Sequence, residues 1–215
     1  MNRVDYRLNA IVDGSLRARG DLAVLAGIAA KAGATIIQYR DKDAGTRLMV
    51  ETARAIGAAL AGTGVPLVVN DRVDVALAAG ADGVHLGRED MEPETARRLL
   101  GPAAIIGMTV KNAADAEAAI AAPVDYACIG GVFETLSKRN PDPPVGLDGF
   151  TALRRQIAAA RPDLPVGAIA GIDAARTKTV VRAGASGVAV IAALFHAEDV
   201  AAATRALLAA VDDAS

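Results

Sequence analysis

Residues 67–86 read LVVNDRVDVALAAGADGVHL and contain one complete strand–helix–strand unit. The two outer runs, Leu67–Asn70 and Gly83–Leu86, are short and mainly apolar, which favours buried β-strands. The alanine-rich segment between them predicts a helix, and Gly80 is a residue that tolerates the left-handed conformation with which many helices end. A strand, a helical crossover and a second strand indicate a parallel sheet.

The same unit recurs along the chain. Short apolar runs return at intervals of roughly 20 to 35 residues, and the Ala-Gly-Ala junction of residues 79–81 returns at residues 32–34 and 183–185. We predict eight strands, at Tyr6–Val12, Thr35–Tyr39, Leu67–Asn70, Gly83–Leu86, Ile105–Met108, Tyr126–Gly130, Val166–Ala170 and Gly187–Ile191. Eight units leave each with about 27 residues, near the minimum for a strand, a helix and two connections. The sequence therefore predicts an α/β fold, a single-domain (β/α)8 TIM barrel over residues 1–215, with no room for a second domain.

The composition is typical of a globular protein with a large core. Hydrophobic residues make up 53% of the chain and charged residues 22%, and no run approaches the roughly 18 apolar residues of a membrane-spanning helix. A net charge of −2 lacks the basic excess that nucleic-acid binding requires. The single cysteine, Cys128, forms no intrachain disulfide, and residues 1–14 lack the pattern of a signal peptide. We expect a cytoplasmic protein with small-molecule partners, no nucleic acid and no membrane; whether it forms a homo-oligomer is left open.

Polar side chains lie at the predicted end of the second strand. The alternation of side chains along a strand places Gln38, Arg40 and Lys42 on one side, and Tyr39 and Asp41 on the other. Two cations and an amide on the same side suit an anionic ligand. The alternative is a solvated strand end that carries ordinary surface charges.

Two carboxylates follow the next two strands. Asp71 follows the third strand and Asp90 follows the fourth. Because adjacent strands lie about 4.8 Å apart, both carboxylates can reach one hard cation, and so few protein ligands suit magnesium better than calcium. The alternative for each is to cap the helix that follows, which begins near Val73 for the first and near Pro93 for the second.

Further polar residues follow the fifth and sixth strands. Thr109 stands at the end of the fifth strand, where its hydroxyl would bind substrate or cap the next helix. Residues 133–148 form the longest stretch without periodicity. This stretch contains Thr135, Ser137 and Lys138, a composition suited to holding an anion, although such loops also occur as plain surface.

Gly171 follows the seventh strand. The loops after strands seven and eight are the usual phosphate-binding site of such barrels. A glycine there lets the backbone approach an anion closely, and a tight turn would require it as well. We interpret His85, His196 and Cys128 as structural, since a histidine on a strand is more often packed than catalytic.

Five segments at the ends of different strands together resemble the thiamine phosphate synthase family. They are Gln38-x-Arg40-x-Lys42, residues 69–72 (VNDR), residues 83–90 (GVHLGRED), Thr135-x-Ser137-Lys138 and residues 170–172 (AGI). They follow one another in the family's order almost from end to end of the chain. Their combination is far more specific than any one of them.

The resemblance implies a magnesium-dependent transferase of thiamine biosynthesis. Such an enzyme joins hydroxymethylpyrimidine diphosphate to a thiazole phosphate, whose carboxylated form loses carbon dioxide, and releases diphosphate. The mechanism of the family is dissociative: a pyrimidine-methyl cation forms and is captured by the thiazole nitrogen. Diphosphate leaves readily only when its growing negative charge is neutralised by cations.

The resemblance also assigns a role to each residue of these segments. Arg40, Lys42 and Lys138 would be the catalytic residues, and Mg²⁺ would be bound by Asp71 and Asp90. The pyrimidine diphosphate would be held by Gln38, Arg40, Lys42, Asn70, Thr109 and Lys138. The thiazole phosphate would be held by Thr135 and Ser137 and, through the backbone, by Gly171, Ile191 and Ala192.

The chain departs from the family pattern at some of these positions. The family usually has serine where Thr109 and Ala192 stand, and Gly131, Glu134 and Lys111 also differ from its commonest residues. Thr109 keeps a hydroxyl. Ala192 loses one, which would weaken phosphate binding by about 1 kcal/mol unless backbone N–H groups make that contact.

Two other functions stay open. A thiazole tautomerase-like paralogue shares the fold but resembles a synthase without the side chains for diphosphate and metal, and the retained Arg40, Lys42, Asp71 and Asp90 argue against it. A catalytically silent protein that binds a phosphate ligand is favoured only by the departures at Gly131 and Ala192. Magnesium-dependent turnover would separate the silent protein from the enzyme.

Overall fold

The computed structural model describes residues 4–134 and 143–214. Eight strands form a closed barrel in which each strand pairs in parallel with its neighbours in the sequence, and the last strand pairs with the first. Helices follow the strands and cover the outside of the barrel. The predicted (β/α)8 TIM barrel is confirmed.

The strands lie close to the predicted positions. They are β1 Leu8–Asp13, β2 Ile36–Arg40, β3 Leu67–Asn70, β4 Gly83–Leu86, β5 Ile105–Val110, β6 Tyr126–Ile129, β7 Val166–Ile169 and β8 Gly187–Val190. The helices are α1 Leu22–Lys31, α2 Thr46–Leu60, α3 Val73–Ala79, α4 Pro93–Leu100, α5 Ala113–Ala121, α6 Gly146–Ala160, α7 Ala174–Arg182, α8 Ala192–Phe195 and α9 Val200–Asp212, and a 3₁₀ helix spans Gly14–Arg19.

The first two strands begin and end later than their apolar runs predict. The pairing of β1 with β2 continues to Asp13 opposite Arg40, one position past the apolar residues of each strand. These two side chains form an ion pair with each other. Hydrophobicity alone would end β1 at Val12 and β2 at Tyr39. The ion pair between Asp13 and Arg40 extends the pairing of the two strands by one residue.

The repeated Ala-Gly-Ala junctions end helices as predicted. Gly33, Gly80 and Gly184 all have positive φ, of 115°, 69° and 100°. Gly80 is the left-handed residue at the end of α3, and its N–H group bonds to helical carbonyls. The three glycines let the chain turn from a helix into the next strand at no steric cost.

Two tyrosines fill the inside of the barrel. Tyr6 and Tyr126 are 2% and 0% exposed, and their ring centroids lie 4.7 Å apart. Space for these rings comes from glycines on other strands. A Cβ at Gly107 would lie 2.0 Å from Tyr126 Cζ, and a Cβ at Gly167 would lie 1.8 Å from Tyr6 Cε1. Branched aliphatic side chains usually fill the interior of such barrels, and here Ile11, Ile36 and Val68 pack in the same cluster as the two tyrosines.

The main core lies between the barrel and its helices. Each strand sends alternate side chains outward into it, for example Ile37 and Tyr39 on β2, which are both 0% exposed. Many of the helical residues that meet them are alanines, such as Ala26 and Ala53. Small side chains let the helices lie close to the strands. No helix among the described residues is long and apolar enough to cross a bilayer.

Candidate active site

A cavity of about 540 Å³ opens at the carboxyl ends of the strands. Several predicted substrate-binding residues line it together, namely Gln38, Arg40, Asn70, Thr109, Gly171, Ile191 and Ala192. They come from both sides of the barrel mouth, because the carboxyl ends of all parallel strands meet at one end of the barrel. The barrel thus gathers residues that are far apart in the sequence into one site.

The predicted alternation holds along β2. Gln38 is 2% exposed and lines the cavity with Arg40, whereas Tyr39 packs into the outer core. Lys42 lies two residues past the end of the strand, and its ammonium group contacts the carboxylate of Asp71. Of the three residues predicted to share one side, Gln38 and Arg40 therefore line the cavity, and Lys42 contacts the neighbouring carboxylate of Asp71.

Asp13 holds the guanidinium group of Arg40. Its Oδ2 accepts a hydrogen bond from Arg40 Nη1, and its Oδ1 accepts from the N–H group and hydroxyl of Ser15 at 3.0 and 2.7 Å. Both carboxylate oxygens are thus engaged, which fixes the direction of Arg40. Asp13 was not predicted as a site residue, although its place directly after the first apolar run is the signal that identified Asp71.

The turn after β2 is held by a buried carboxylate. Asp41 accepts hydrogen bonds from Arg17 Nη2 at 2.7 Å and from the N–H groups of Asp43 and Ala44. Burial raises the pKa of Asp41, but these N–H groups and the Arg17 guanidinium more than offset it and hold the pKa below its ordinary value. A charged, fully bonded Asp41 therefore fixes the turn that carries Lys42.

Asp71 and Asp90 lie against each other at the ends of β3 and β4. Burial, followed by the contact with Asp71, raises the pKa of Asp90 above its ordinary value. Asp71 has φ 64°, an unusual conformation for a residue with a side chain, and its N–H group donates to the carbonyl of His85 at 2.8 Å. Asp90 Oδ2 accepts a hydrogen bond from the N–H group of Gly87 at 2.6 Å. The predicted proximity of the two carboxylates is confirmed.

The capping alternative for these aspartates is wrong. The N-cap residue of α3 is Arg72 and that of α4 is Glu92, and neither helix has a side-chain cap. The side chains of Asp71 and Asp90 are therefore not used to satisfy helix N–H groups. They form a pair of carboxylates beside Lys42.

The loop that carries Asp90 is anchored to the next helix. Arg88 donates from Nε and Nη2 to the two oxygens of Asp115, each at 3.0 Å. Asp115 is 7% exposed and also accepts from the N–H group of Lys111 at 2.9 Å. Such a two-pronged arginine–carboxylate contact is geometrically specific. This pair was not predicted, because Asp115 lies within the helical pattern of α5 and nothing local marks it as buried.

Thr109 faces the cavity beside a buried histidine. Its Oγ1 lies 2.8 Å from His85 Nε2, and α5 is capped by Asn112, whose side chain accepts from the N–H group of Asp115. The capping alternative for Thr109 is therefore wrong. His85 is 7% exposed and hydrogen-bonded, as interpreted from the sequence, yet it also lines the cavity.

The opposite side of the cavity is formed by backbone. Gly171 has φ 63°, and a Cβ there would lie 2.3 Å from the carbonyl oxygen of Glu134. Glycine is thus required by the approach of another loop, as well as by the turn. Arg176 clamps the two loops, because its Nη1 donates to Gly171 O at 2.7 Å and its guanidinium lies 4.7 Å from the ring centroid of Phe133.

Ile191 and Ala192 begin α8 at this same side. Ile191 is the N-cap residue, and the helix runs from Ala192 to Phe195. N–H groups in the first turn of a helix have no helical carbonyl to bond to and are available to an acceptor. His196, which follows this helix, and Glu134 also line the cavity. Neither residue was predicted to belong to the site, and no local pattern marks them.

Backbone strain at Ala170 leads to the first prediction. Ala170 has φ 90°, which costs an alanine roughly 1 kcal/mol. We expect Ala170→Gly to change the free energy of unfolding by less than about 1 kcal/mol, since relief of strain offsets the added chain entropy. The matched control Ala168→Gly, in β7 and without that strain, should lose about 1.5 kcal/mol through entropy and a lost buried methyl. Urea denaturation of both variants measures the difference; equal losses would contradict the argument.

Three predicted site residues, Thr135, Ser137 and Lys138, lie outside the described residues. The unpatterned stretch was predicted to reach Asp148, but α6 already begins at Gly146. Among residues 4–134 and 143–214, no group of three or more histidine, cysteine, aspartate or glutamate side chains is arranged to hold a metal ion. The acidic pair that the structure brings together at the ends of β3 and β4 is Asp71 and Asp90.

The chain is similar to known proteins over its whole length. The model of the thiamine monophosphate synthase family (TMP-TENI) matches residues 8–194. A thiamine-phosphate synthase of Agrobacterium fabrum is 64% identical over 214 residues, which covers 100% of this chain and 97% of the relative. One of Chloroflexus aurantiacus is 44% identical and covers 97% of this chain and 94% of the relative. The solved structure of a thiamine phosphate pyrophosphorylase from Pyrococcus furiosus has a TM-score of 0.84 and 35% identity, and covers 99% of this chain and 98% of that one. Matches of this extent show that the chain belongs to the thiamine monophosphate synthase family.

Proposed function

We propose that this protein joins hydroxymethylpyrimidine diphosphate to a thiazole phosphate, with Mg²⁺, and releases thiamine phosphate and diphosphate. The observation that carries the proposal is the arrangement of charges at the cavity. Arg40 lines the cavity, and Lys42, Asp71 and Asp90 lie together beside it. This combination suits a diphosphate with a bound divalent cation.

The two carboxylates fit a magnesium ion. Mg²⁺ is commonly held by one or two carboxylates, with water and substrate phosphate oxygens as the other ligands. The pKa of Asp90 is raised by burial and by the nearby Asp71, so a divalent cation between them would relieve the repulsion. Lys42 already contacts Asp71, which indicates that a positive charge is favoured there. When bound, Mg²⁺ would supply charge neutralisation for the leaving diphosphate.

The reaction requires the C–O bond between the pyrimidine methylene and the diphosphate to break, with the electron pair leaving on the diphosphate. The lone pair of the thiazole nitrogen then forms the new C–N bond, and a carboxylated thiazole also loses carbon dioxide. Arg40 and Lys42 stabilise the negative charge that grows on the leaving oxygens. Lys138, outside the described residues, would add a third cation. Catalysis by this chain then consists of positioning and electrostatic stabilisation, with no protein nucleophile.

The remaining site residues would position the two substrates. Gln38, Asn70 and Thr109 line the cavity near Arg40 and would hold the pyrimidine diphosphate. Backbone N–H groups near Gly171 and at the start of α8 would hold the phosphate of the thiazole. Thr135 and Ser137 would complete that contact. The thiazole nitrogen would then lie in the same cavity as the pyrimidine methylene.

Diphosphate release tests the proposal. Purified protein is given both substrates, first with Mg²⁺ and then with EDTA, and thiamine phosphate and diphosphate are measured. We expect equal amounts of the two products with Mg²⁺ and none with EDTA. Substrate binding without turnover would favour a silent phosphate-binding protein, and conversion of the thiazole phosphate alone into its isomer would favour a tautomerase. Either result would overturn the proposal.

Ala192 leads to the second prediction. The family's usual serine would add a hydroxyl beside the N–H groups that we propose for the thiazole phosphate. One added hydrogen bond is worth about 1 kcal/mol, or about fivefold in affinity. We expect Ala192→Ser to lower the KM for the thiazole phosphate about fivefold and to leave that for the pyrimidine diphosphate unchanged. Steady-state kinetics with each substrate varied in turn checks this; an equal shift in both KM values would place Ala192 away from the thiazole phosphate.

A further inference from the structure

A chain of three side chains connects the buried interior of the barrel to the cavity. His85 Nδ1 lies 3.0 Å from the Tyr126 hydroxyl, and His85 Nε2 lies 2.8 Å from Thr109 Oγ1. Tyr126 is completely buried and its ring stacks on the imidazole, with centroids 5.5 Å apart and planes inclined by 17°. The imidazole is thus held between a buried phenol and a hydroxyl that faces the substrate cavity.

The buried phenol determines which nitrogen of His85 carries the proton. Burial raises the pKa of Tyr126 well above its ordinary value, so the phenol stays protonated and requires an acceptor for its O–H group. His85 Nδ1 lies within hydrogen-bonding distance of that group. A buried donor without an acceptor costs about 1–3 kcal/mol, and is rarer in proteins than an acceptor with an unused lone pair. The Tyr126 hydroxyl therefore donates to Nδ1, which leaves the proton of the neutral imidazole on Nε2.

This tautomer determines what Thr109 offers to the cavity. An Nε2–H group donates to Thr109 Oγ1, so the O–H group of Thr109 remains free to donate to a ligand. In the other tautomer, the Thr109 hydroxyl would donate its hydrogen bond to Nε2 and could only accept one from a ligand. We propose that His85 and Tyr126 are positioning residues that keep Thr109 a hydrogen-bond donor toward an acceptor atom of the pyrimidine substrate. This inference rests on the proposed function and adds a basis for selecting the substrate.

The substitution Tyr126→Phe tests the proposal because it removes one oxygen and keeps the ring. The control is Tyr6→Phe, since Tyr6 lies in the same interior and its hydroxyl has no hydrogen-bond partner among the described residues. We expect Tyr126→Phe to raise the KM for the pyrimidine diphosphate by about two- to fivefold, because only the molecules with a protonated Nε2 then present the Thr109 donor. The KM for the thiazole phosphate should change less than twofold, and Tyr6→Phe should leave both values unchanged. A purely structural role would instead move both KM values together, or give both variants the same effect.

Two variants of His85 distinguish the effect of its N–H donor from the effect of its side-chain volume. His85→Gln retains an amide N–H group that can reach Thr109, whereas His85→Leu retains no donor. We expect His85→Gln to leave the KM for the pyrimidine diphosphate within about 1.5-fold of the unmodified protein, and His85→Leu to raise it about threefold, because the Thr109 hydroxyl is then no longer fixed in one of its three staggered positions. Equal losses in the two variants, with melting temperatures that show both are folded, would overturn the proposal.

The nitrogen chemical shifts of the imidazole give a readout that does not depend on turnover. The chain has two histidines, so a His196→Gln variant assigns the His85 signals in a ¹⁵N spectrum. We expect protonated Nε2 and unprotonated Nδ1 in the unmodified protein, and a mixture of tautomers in Tyr126→Phe. Protonated Nδ1 in the unmodified protein would overturn the inference. If the protein makes no thiamine phosphate but shows the expected shifts, the proposed function fails while the hydrogen-bond chain stands.

Discussion

Replacement of Asp71 by asparagine is expected to lower kcat by about 100-fold or more, the scale on which an electrostatic stabiliser of a transition state contributes. The substitution removes one negative charge and keeps the shape of the side chain. Asparagine also tolerates the positive φ of 64° at this position better than most residues, so the fold should be retained. Loss of the charge would weaken the proposed binding of Mg²⁺ and leave Lys42 without its carboxylate.

Asp74→Asn is the matched control for Asp71→Asn. Asp74 lies three residues further on, in the first turn of α3, and its side chain is 59% exposed in an ion pair with Arg72. Exposed ion pairs contribute little, so we expect kcat to stay within about twofold. The binding of Mn²⁺, measured by electron paramagnetic resonance without substrate, should weaken in Asp71→Asn and not in Asp74→Asn. Unchanged kcat and Mn²⁺ binding in Asp71→Asn would remove Asp71 from the metal site.

Replacement of Gly107 by alanine is expected to lower the free energy of unfolding by about 3 kcal/mol, at the upper end for overpacked cores. The added Cβ would lie 2.0 Å from Cζ and 2.4 Å from the hydroxyl oxygen of Tyr126. The ring has little room to move away, because it packs between Tyr6 at 4.7 Å and His85 at 5.5 Å. Urea denaturation followed by circular dichroism measures the loss.

Gly57→Ala is the control for the added methyl group. Gly57 lies inside α2, and a Cβ there would meet Leu67 Cδ2 at an ordinary 3.9 Å. Alanine is the better helix former, so this variant should gain roughly 0.5–1 kcal/mol. The double variant Gly107→Ala with Tyr126→Val should be less destabilised than the sum of its two single changes, since the smaller side chain makes room. Additive losses would show that the ring is not the obstacle.

Much of the fold follows from local patterns in the sequence. The eight apolar runs, the alanine-rich segments between them and the Ala-Gly-Ala junctions predict the barrel, because strands, helices and helix ends each depend on neighbouring residues. Parallel strands in chain order then bring their carboxyl ends together. That rule alone places Gln38, Arg40, Asp71 and Asp90 at one end of the barrel.

The tertiary structure alone decided which of these groups contact one another. Asp13 lies beside Arg40, and Arg88 beside Asp115, through pairings that join residues 27 positions apart in both cases. No local pattern carries that information, since the partner's distance depends on how the barrel closes. The strand ends also differ from prediction for this reason, because β1 and β2 continue as far as the ion pair between them.

Inside the barrel, too, the sequence determines some features and the tertiary structure decides others. Alternation along the strands accounts for the shared inward direction of Tyr126, His85 and Thr109. Their strand neighbours Ala127, Val84 and Val110 pack into the outer core. Alternation does not determine that the phenol meets Nδ1 while the threonine meets Nε2, or that Gly107 makes room for the ring. Those contacts depend on the register in which β4, β5 and β6 pair around the closed barrel. Local periodicity thus determined which residues face the site, and closure of the barrel decided what each of them touches.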